Sequence, residues 1–441
     1  MRILLAIHQY FPEHIGGTEV YTHGIAVRLK NLSYDVAVVT YIESPSADPG
    51  DFKTEEIFFE GIRIYRISYN LSVDTYPARA EYDNSFTGKH FADILQTFKP
   101  DLVHFTHLMK LSGSTMEACA VAGIPFMVTL TDFWIICPRH TLLKWDDTLC
   151  SGPEHRTYCI KCIHKTHGFF PPVVMKIPDP LLGAVTNAGC RLIKKASNLF
   201  WKDSYALFHR NDYLRKQILK AKHIICLSEF QKKFLEINEY LGDKIMVLRH
   251  GIDTSGYSPE KNEISGETIT MLMVTSIVRH KGVHIAVEAL MKSANQNLKL
   301  VIYGNITGQD PYVSGILKTA KQDPRIMFKG TVSQDLIGDI FKKADVFLMP
   351  VIWYENEPLV VKAAVYTGIP VMASRIGSLP ELINDGQNGW LLPPGDIPAW
   401  SEAFDNLSRQ SLAALKVESS QMITMNESFN ETLNLYKYIL E

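Results

Sequence analysis

The residues best suited to chemistry lie in one loop between an apolar strand and a helix. The loop after the apolar run at 346–350 carries Glu355, Asn356 and Glu357, and Pro358 stands where a helix can begin. This order of strand, polar loop and helix N-terminus is half of a nucleotide-binding α/β unit. Because backbone N–H groups at a helix N-terminus favour a phosphate, we expect this loop to contact a phosphorylated ligand.

Four of the seven cysteines form a second group of candidate ligands. They follow one another as C-x12-C-x8-C-x2-C, at Cys137, Cys150, Cys159 and Cys162. In a reducing compartment such a group is more typical of a metal site than of disulfides. It predicts a closed, structural zinc site, with an iron–sulfur cluster as the less favoured metal centre. Four unconnected thiols around a loop are the alternative.

Length and composition restrict the class of protein. At 441 residues, with 46% hydrophobic and 21% charged residues, the chain suggests two globular domains. A formal net charge of -2 argues against a dedicated nucleic-acid-binding protein. Apolar runs are too short for a membrane-spanning helix, and the run Ile3–Ile7 is too short for a signal peptide. We therefore expect a cytoplasmic protein with no nucleic-acid partner.

Apolar strands alternate with helices along most of the chain, which predicts an α/β fold with doubly wound parallel sheets. The first series of strands runs from residue 1 to about 249, and includes a hairpin at 57–67. The second series runs from about 268 to 374, and residues 406–441 are predicted to be helical. A polar stretch after Asp253 separates the two series. We predict domains at 1–254 and 255–424, followed by a helix at 425–441.

One segment, at about 133–222, interrupts this alternation and has a charge of its own. Between Arg156 and Lys222 there are thirteen Lys or Arg residues against three acidic ones, with aromatic residues interleaved. A basic, aromatic insertion can bind an anionic membrane surface or an anionic acceptor. A solvated pair of helices whose aromatic residues face the core is the alternative, and the sequence slightly favours it.

Seven short motifs occur in a fixed order along the chain. They are Gly16-Gly17-Thr18-Glu19, Leu227-Ser228-Glu229-Phe230, Arg249-His250-Gly251-Ile252-Asp253, Arg279-His280-Lys281-Gly282, Phe328-Lys329-Gly330-Thr331, Ala344-Asp345-Val346 and Gly377-Ser378-Leu379-Pro380-Glu381. In this order the chain resembles, over nearly its full length, family 4 of the retaining glycosyltransferases. The resemblance implies the GT-B fold, in which two Rossmann-like domains face a cleft and the C-terminal helix crosses back to the first domain.

The resemblance implies sugar transfer from a UDP- or GDP-linked donor, with retention of the anomeric configuration. The acceptor would be a glycan, as in polysaccharide biosynthesis, a lipid-linked glycan or a small molecule. The donor would bind the second domain, and the acceptor would bind the first domain, including the basic insertion. No cofactor or metal is expected at the diphosphate, because related enzymes neutralise it with a lysine and helix N-termini. A cytoplasmic location peripheral to the membrane would suit a lipid-linked acceptor.

The same resemblance assigns residues to the donor. Glu355 looks like the first carboxylate of the family's E-x7-E motif, which contacts the donor sugar. Lys281 looks like the lysine that binds the diphosphate. The other predicted donor-binding residues are Gly16, Gly17, Arg279, Gly304, Val332, Asn356, Glu357, Pro358 and Leu359.

Further residues are predicted on the acceptor side of the reaction. Asp132, next to the place of a sugar-contacting histidine in the family, is predicted to contact the sugar or the acceptor and to act with Glu355 in catalysis. His104 and His107, at the end of a strand, are predicted to contact the acceptor. A purely structural role is the alternative for both histidines.

Three positions depart from the family pattern. Ala363 replaces the second carboxylate of E-x7-E, which binds the ribose, and this should weaken nucleotide binding by about 1.5–3 kcal/mol. Ser276 replaces an arginine, and Thr131 replaces the sugar-contacting histidine. These losses keep open a second hypothesis, a degenerate GT-B protein that binds a nucleotide, glycan or partner without turnover. A phosphorylase of the same architecture would need pyridoxal phosphate on a lysine, and no motif supports it.

Overall fold

The protein forms two compact units in a computed structural model. The model describes residues 1–48, 50–74, 77–153, 156–166, 176–193, 199–238, 244–258, 266–307, 310–333, 336–419 and 422–441, with the side chains of 187–193 and 199–201 left out. Unit 1 comprises Met1–Leu227, Gln231–Leu248 and Phe429–Glu441. Unit 2 comprises Ser228–Phe230 and Arg249–Ser428.

Unit 1 is built on an eight-stranded sheet. Its strands are Arg2–Ile7 (β1), Asp35–Glu43 (β2), Lys53–Phe59 (β3), Ile62–Tyr69 (β4), Leu102–Phe105 (β5), Phe126–Leu130 (β6), Ile224–Cys226 (β7) and Ile245–Val247 (β8). They lie in the order β3-β4-β2-β1-β5-β6-β7-β8. The described pairs are parallel except for the antiparallel hairpin β3–β4.

Helices cover the central strands of this sheet. They are Gly17–Asn31, Pro77–Ala80, Ser85–Phe98, Ser114–Ala122, Arg156–Thr166, Asp179–Ile193, Leu199–Ile218, Glu229–Ile237 and the final helix Met425–Leu440, with a short 3-10 turn at Leu71–Val73. Ile3 to Ile7 are fully buried, because a parallel strand packed on both faces is apolar throughout rather than in alternation.

Unit 2 is built on a six-stranded parallel sheet. Its strands are Ile269–Val274 (β9), Leu298–Tyr303 (β10), Ile326–Phe328 (β11), Val346–Met349 (β12), Val371–Ser374 (β13) and Gly389–Leu392 (β14). Their order, β11-β10-β9-β12-β13-β14, is the 3-2-1-4-5-6 order of dinucleotide-binding folds. The helices are Val283–Lys292, Pro311–Ala320, Ile337–Phe341, Leu359–Tyr366, Leu379–Leu382, Ile397–Asp405 and Arg409–Ala413, with a 3-10 turn at Arg279–Lys281. Trp400 and Phe404 are fully buried in its core.

The doubly wound parallel sheets that the sequence predicts are confirmed. In each sheet the strand order reverses at one point, between β1 and β5 in unit 1 and between β9 and β12 in unit 2. Ligands of such sheets bind outside the carboxyl ends of the strands at this reversal. The loops after these four strands are therefore the places to look for a site.

The predicted helical stretch at 406–441 is wrong in its middle part, because two separate helices form. Arg409–Ala413 is capped by Ser408, and the final helix begins at Met425. Thr424 and Glu427 exchange hydrogen bonds of 2.7 Å and 3.3 Å as a capping box. The T-x-x-E spacing at 424–427 was a readable signal for this helix start.

The predicted insertion is helical where it is described. Helices Arg156–Thr166, Asp179–Ile193 and Leu199–Ile218 lie within it. Phe169, Phe170, Lys194 and Lys195 lie outside the described residues, as does most of the predicted linker, at 259–265. Within the described part of the chain, no helix is both long and apolar enough to cross a membrane. Contact of the insertion with a membrane surface stays a prediction.

A buried polar contact fixes the final helix within unit 1. The Tyr436 hydroxyl lies 2.7 Å from Nδ1 of His104, and Nε2 of His104 lies 2.7 Å from Oγ1 of Thr129. Burial lowers the pKa of His104 to about 3, so its ring is neutral. With His104 fully buried and both ring nitrogens engaged, the prediction that it contacts an acceptor is wrong.

Replacing Tyr436 tests this contact. Tyr436→Phe leaves Nδ1 of His104 without its hydrogen-bond partner in the core, and should lower the free energy of unfolding of unit 1 by about 1–3 kcal/mol. Urea denaturation followed by far-UV circular dichroism measures the change. Tyr438→Phe, on the same helix but 68% exposed, is the matched control. Equal midpoints for the two variants would mean that the contact contributes nothing to stability.

Candidate active site

Two loops of unit 2 leave the same edge of its sheet at the strand reversal. β9 leads into the turn Arg279–Lys281, and its neighbour β12 leads into the loop with Glu355. Gly282, with φ of 73°, turns the chain into the helix Val283–Lys292. A Cβ atom at Gly282 would lie 1.7 Å from the carbonyl oxygen of Pro350, so only glycine lets the two loops approach this closely.

Lys281 and Glu355 form an ion pair at this edge. Lys281 Nζ lies 2.5 Å from Glu355 Oε1, which also accepts the indole N–H of Trp353 at 2.7 Å. The ammonium lies 4.6 Å from the centroid of the Trp353 ring, where a cation–π interaction adds to the pair. Glu355 is only 6% exposed. A ligand at this point would therefore meet a cation and an anion held side by side.

A second, deeper group of charges lies behind the same loop. Glu357 and Lys362 form a buried ion pair, and Arg249 Nη1 lies 3.6 Å from Glu357. Lys362 Nζ donates to the carbonyl oxygen of His250 at 2.5 Å, and Arg249 Nη2 lies 2.5 Å from Glu381. Burial raises the pKa of Glu357 and lowers that of Lys362, while the charge of each opposes the other's shift. Glu357 is thus enclosed in the fold instead of facing a ligand.

The other predicted donor-binding residues of unit 2 lie nearby in the chain but differ in exposure. Asn356 is buried, Pro358 is the N-cap, and Leu359 is the first residue of the helix Leu359–Tyr366. Arg279 is exposed, in the same turn as Lys281. Ala363, at the place of the missing carboxylate, is 2% exposed.

Gly304 and the loop containing Val332 are connected at the ends of β10 and β11. The Gly304 N–H donates to the Gly330 carbonyl oxygen at 2.9 Å. A Cβ atom at Gly304 would lie 2.3 Å from the Thr275 carbonyl oxygen, so the backbones of β9 and β10 meet closely there. Val332 is half-buried and Ser276 is exposed.

In unit 1, a histidine and an aspartate meet at the carboxyl ends of β5 and β6. His107 Nε2 lies 2.9 Å from Asp132 Oδ2, and His107 Nδ1 accepts the Met109 N–H at 3.1 Å. Nδ1 is therefore the unprotonated nitrogen, and Nε2–H donates to the carboxylate. Burial alone would raise the pKa of Asp132, but His107 and the Trp134 N–H lower it overall. Asp132 is an ionised carboxylate oriented by His107.

His8 extends this group to the end of β1. Its ring centroid lies 4.1 Å from that of His107, and its Nε2 lies 3.7 Å from Glu19 Oε1. Burial, followed by the charges of His107 and Lys110, lowers the pKa of His8 well below its usual value. A Cβ atom at Gly16 would lie 2.5 Å from Glu19 Oε2, so glycine leaves room for this carboxylate. Gly17 is exposed as the first residue of the helix.

Sequence reasoning missed the residues that support the Lys281–Glu355 pair and the His107–Asp132 pair. Glu19 closes the first motif but was given no role, and for His8 the position directly after β1 was the available signal. Trp353 precedes Glu355 by two residues, but nothing in a single sequence shows where its indole points. Lys362 carries no signal, because a lone lysine in an apolar helix resembles a surface residue until its burial is known.

The four cysteines lie around one cavity, but the predicted metal site is not supported. Burial raises the pKa of the Cys137 thiol to about 11 and that of Cys159 to about 12. Among the described residues, no group of three or more His, Cys, Asp or Glu side chains is arranged to hold a metal ion. A tetrahedral zinc site needs sulfur atoms about 2.3 Å from one point. All four cysteines line one cavity of about 400 Å³, and a metal ion bound by them stays a prediction.

Comparison with known families gives two matches. The model described as "Glycosyl transferases group 1" matches residues 257–423, and the model described as "Glycosyl transferase 4-like domain" matches residues 16–159. Lys281 and Glu355 fall within the first match, and Asp132 and His107 fall within the second.

Curated relatives are glycosyltransferases. A putative colanic acid biosynthesis glycosyltransferase, WcaL of Salmonella typhimurium, is 27% identical over 38% of this chain and 43% of its own. The chain thus spans about half the length of the first relatives that it matches. A glycogen synthase of Mycobacterium tuberculosis is 23% identical over 94% of this chain and 87% of its own.

Solved structures share the fold at low identity. Sucrose-phosphate synthase of Thermosynechococcus elongatus has a TM-score of 0.65 at 14% identity, over 99% of this chain and 98% of its own. Anabaena HepE in complex with UDP and glucose has a TM-score of 0.65 at 16% identity, over 99% and 100%. Together with the two sheets, these likenesses confirm the predicted GT-B fold.

The buried charge group of unit 2 can be tested by removing its cation. Lys362→Met leaves Glu357 enclosed without its ammonium partner, which should lower the free energy of unfolding of unit 2 by about 3–5 kcal/mol. Urea denaturation measures this loss, and Lys343→Met at an exposed position of the same unit is the control. The double variant K362M/E357Q should recover part of the loss, because no buried charge is then left unpaired. A single variant as stable as the control would contradict this account.

Proposed function

The two matched domain models and the fold indicate a GT-B glycosyltransferase, and from that premise we propose sugar transfer from a nucleotide-diphosphate donor with retention of anomeric configuration. The proposed acceptor is a glycan or a lipid-linked glycan. The observation that carries the proposal is the Lys281–Glu355 pair at the strand reversal of a 3-2-1-4-5-6 sheet. A diphosphate needs a cation beside N–H donors, and a sugar hydroxyl needs an acceptor. The two loops after β9 and β12 together provide all three.

Each residue has a proposed role in binding the donor. The Lys281 ammonium would pair with the diphosphate, and the N–H groups at the start of the helix Leu359–Tyr366 would add hydrogen bonds to it. Glu355 would accept hydrogen bonds from hydroxyl groups of the donor sugar. The nucleotide of the HepE structures is UDP, so UDP-sugars are the first donors to test.

During sugar transfer, the leaving diphosphate is the group that most needs stabilisation. As the glycosidic bond breaks, negative charge builds on the diphosphate and positive charge builds on the sugar ring. Lys281 would stabilise the first charge and the Glu355 carboxylate would stabilise the second. Asp132 would accept a hydrogen bond from, or orient, the reacting hydroxyl of the acceptor. We assign no divalent cation to these roles: the ammonium and the helix N–H groups would offset part of the charge on the leaving group.

The ion pair also predicts that Glu355 and the donor diphosphate compete for the Lys281 ammonium. In the described structure the Glu355 carboxylate takes the position on Lys281 that a phosphate oxygen would take. Donor binding must therefore separate Glu355 from Lys281, which releases the carboxylate toward the sugar. This favours an active enzyme over a degenerate binding protein, because both charged residues of the pair remain in place despite Ala363 and Ser276.

Removing the cation should weaken nucleotide binding. Lys281→Ala deletes a charged hydrogen bond to the diphosphate, worth about 1.5–3 kcal/mol, and should raise the Kd for UDP by about 10–150-fold. Isothermal titration calorimetry with UDP measures this change. Lys321→Ala, at an exposed lysine of the same unit, should bind UDP like the unmodified protein. An unchanged Kd for K281A would remove the basis of the proposed donor site.

Neutralising the anion should separate binding from transfer. Glu355→Gln frees Lys281 from its internal partner, so UDP should bind equally well or more tightly. Transfer from the UDP-sugar that is turned over should fall by about 10²–10³-fold, because the charge on the sugar ring loses its partner. Titration with UDP and a radiolabelled transfer assay measure the two effects. A parallel loss of binding and transfer would mean that Glu355 serves only to hold the loop together.

A further inference from the structure

The insertion of unit 1 contains a cavity that none of the roles above uses. Its volume is about 400 Å³, within the range of about 300–1,000 Å³ that is typical of small-molecule sites. One side comes from the segment after Asp132, and the other comes from the helix Arg156–Thr166. The lining residues are Cys137, Pro138, Arg139, Leu143, Lys144, Trp145, Cys150, Ser151, Gly152, Pro153, Tyr158, Cys159, Lys161, Cys162 and Ile163.

The charge of this lining has one sign. Arg139, Lys144 and Lys161 are cations, and among the described residues of the chain no Asp or Glu belongs to the lining. The Lys165 ammonium, which is not part of the lining, lies 3.1 Å from the centroid of the Trp145 ring. Lys161 shares its charge with Asp179 at 2.7 Å, whereas Lys144 is exposed. The cavity is therefore complementary to an anion.

The walls are also largely apolar and carry two accessible aromatic rings. Trp145 is 42% exposed and Tyr158 is 46% exposed. An inorganic anion is too small to use these rings, but the C–H faces of a pyranose pack against aromatic rings. Cations beside aromatic rings thus suit a sugar that bears a carboxylate.

We propose that this cavity binds an acidic sugar residue, such as a uronate, of the acceptor glycan. The ring would pack on Trp145 and Tyr158, and its carboxylate would pair with the exposed Lys144, because Lys161 is already paired with Asp179. That this sugar belongs to an acceptor rests on the proposed transferase function. Binding of the acidic sugar itself does not depend on that function.

The cavity belongs to the same segment as the candidate catalytic carboxylate. Asp132 Oδ1 accepts the Trp134 N–H at 2.8 Å, and the Cys137 N–H donates to the Phe133 carbonyl oxygen at 2.8 Å. The Arg210 guanidinium donates to the Trp134 carbonyl oxygen at 2.6 Å and fixes this turn. Asp132 and the cavity wall are therefore parts of one hydrogen-bonded segment, so a glycan held in the cavity is held by the segment that presents Asp132.

Titration of the full-length protein with sodium glucuronate, followed by NMR line broadening of the sugar, tests the proposal. We expect saturable binding of glucuronate, and at least tenfold weaker binding of glucose and of inorganic phosphate. Lys144→Glu and, separately, Trp145→Ala should each weaken glucuronate binding at least tenfold. Lys89→Glu, an exposed position on the helix Ser85–Phe98, makes the same charge change outside the cavity and should have no effect.

Three results would overturn the proposal. Glucose binding as tightly as glucuronate would remove the role of the cations, and phosphate binding as tightly would remove the role of the rings. The protein could instead bind anionic phospholipid vesicles and not glucuronate. If K144E weakens that vesicle binding, the cavity is a lipid site. Glucuronate binding without transfer from any nucleotide sugar would retain the cavity assignment and reject the transferase function, so the two failures are distinguishable.

Discussion

The ion pair of Lys281 with Glu355 depends on the reversal of strand order in unit 2, and the rest of the candidate donor site depends on that pair. β9 and β12 are neighbours only because the chain changes direction across the sheet after β11. The loops that follow them therefore leave the same edge of the sheet. Because Gly282 has no Cβ atom, its backbone can lie against the carbonyl oxygen of Pro350. Without that approach, an ammonium and a carboxylate 74 positions apart in the sequence would not meet.

Burial gives the charges around this loop different functions. In the first pair, Lys281 keeps 20% of its side-chain surface exposed and Glu355 keeps 8%. Glu357 and Lys362 have almost no exposed side-chain surface, so they are fixed as an internal pair beside Arg249. Two glutamates only two residues apart thus have different surroundings. The proposed function assigns Glu355 to the donor sugar, whereas Glu357 is held inside the fold by Lys362.

In unit 1 the candidate site residues also lie where the strand order of the sheet reverses, but they are histidines and an aspartate. His8, His107 and Asp132 follow β1, β5 and β6, which are neighbours in the sheet. Asp132 stays ionised, because His107, His140 and the Trp134 N–H together outweigh the effect of burial on the pKa of that carboxyl group. The insertion after Asp132 then adds a basic, aromatic cavity to an otherwise ordinary α/β domain. The four cysteines form part of its wall.

The sequence alone determined the α/β class, the two series of strands and the loops that carry Lys281, Glu355, His107 and Asp132. Apolar runs and turn residues are local signals, and the order of motifs along the chain supplied the likeness to a glycosyltransferase family. Only the tertiary structure decided which charges are accessible. It enclosed His104 with Tyr436 and Glu357 with Lys362, and it placed the four cysteines along the wall of one cavity. The reason is that burial and pairing arise from residues distant in sequence, which no spacing pattern in a single chain can report.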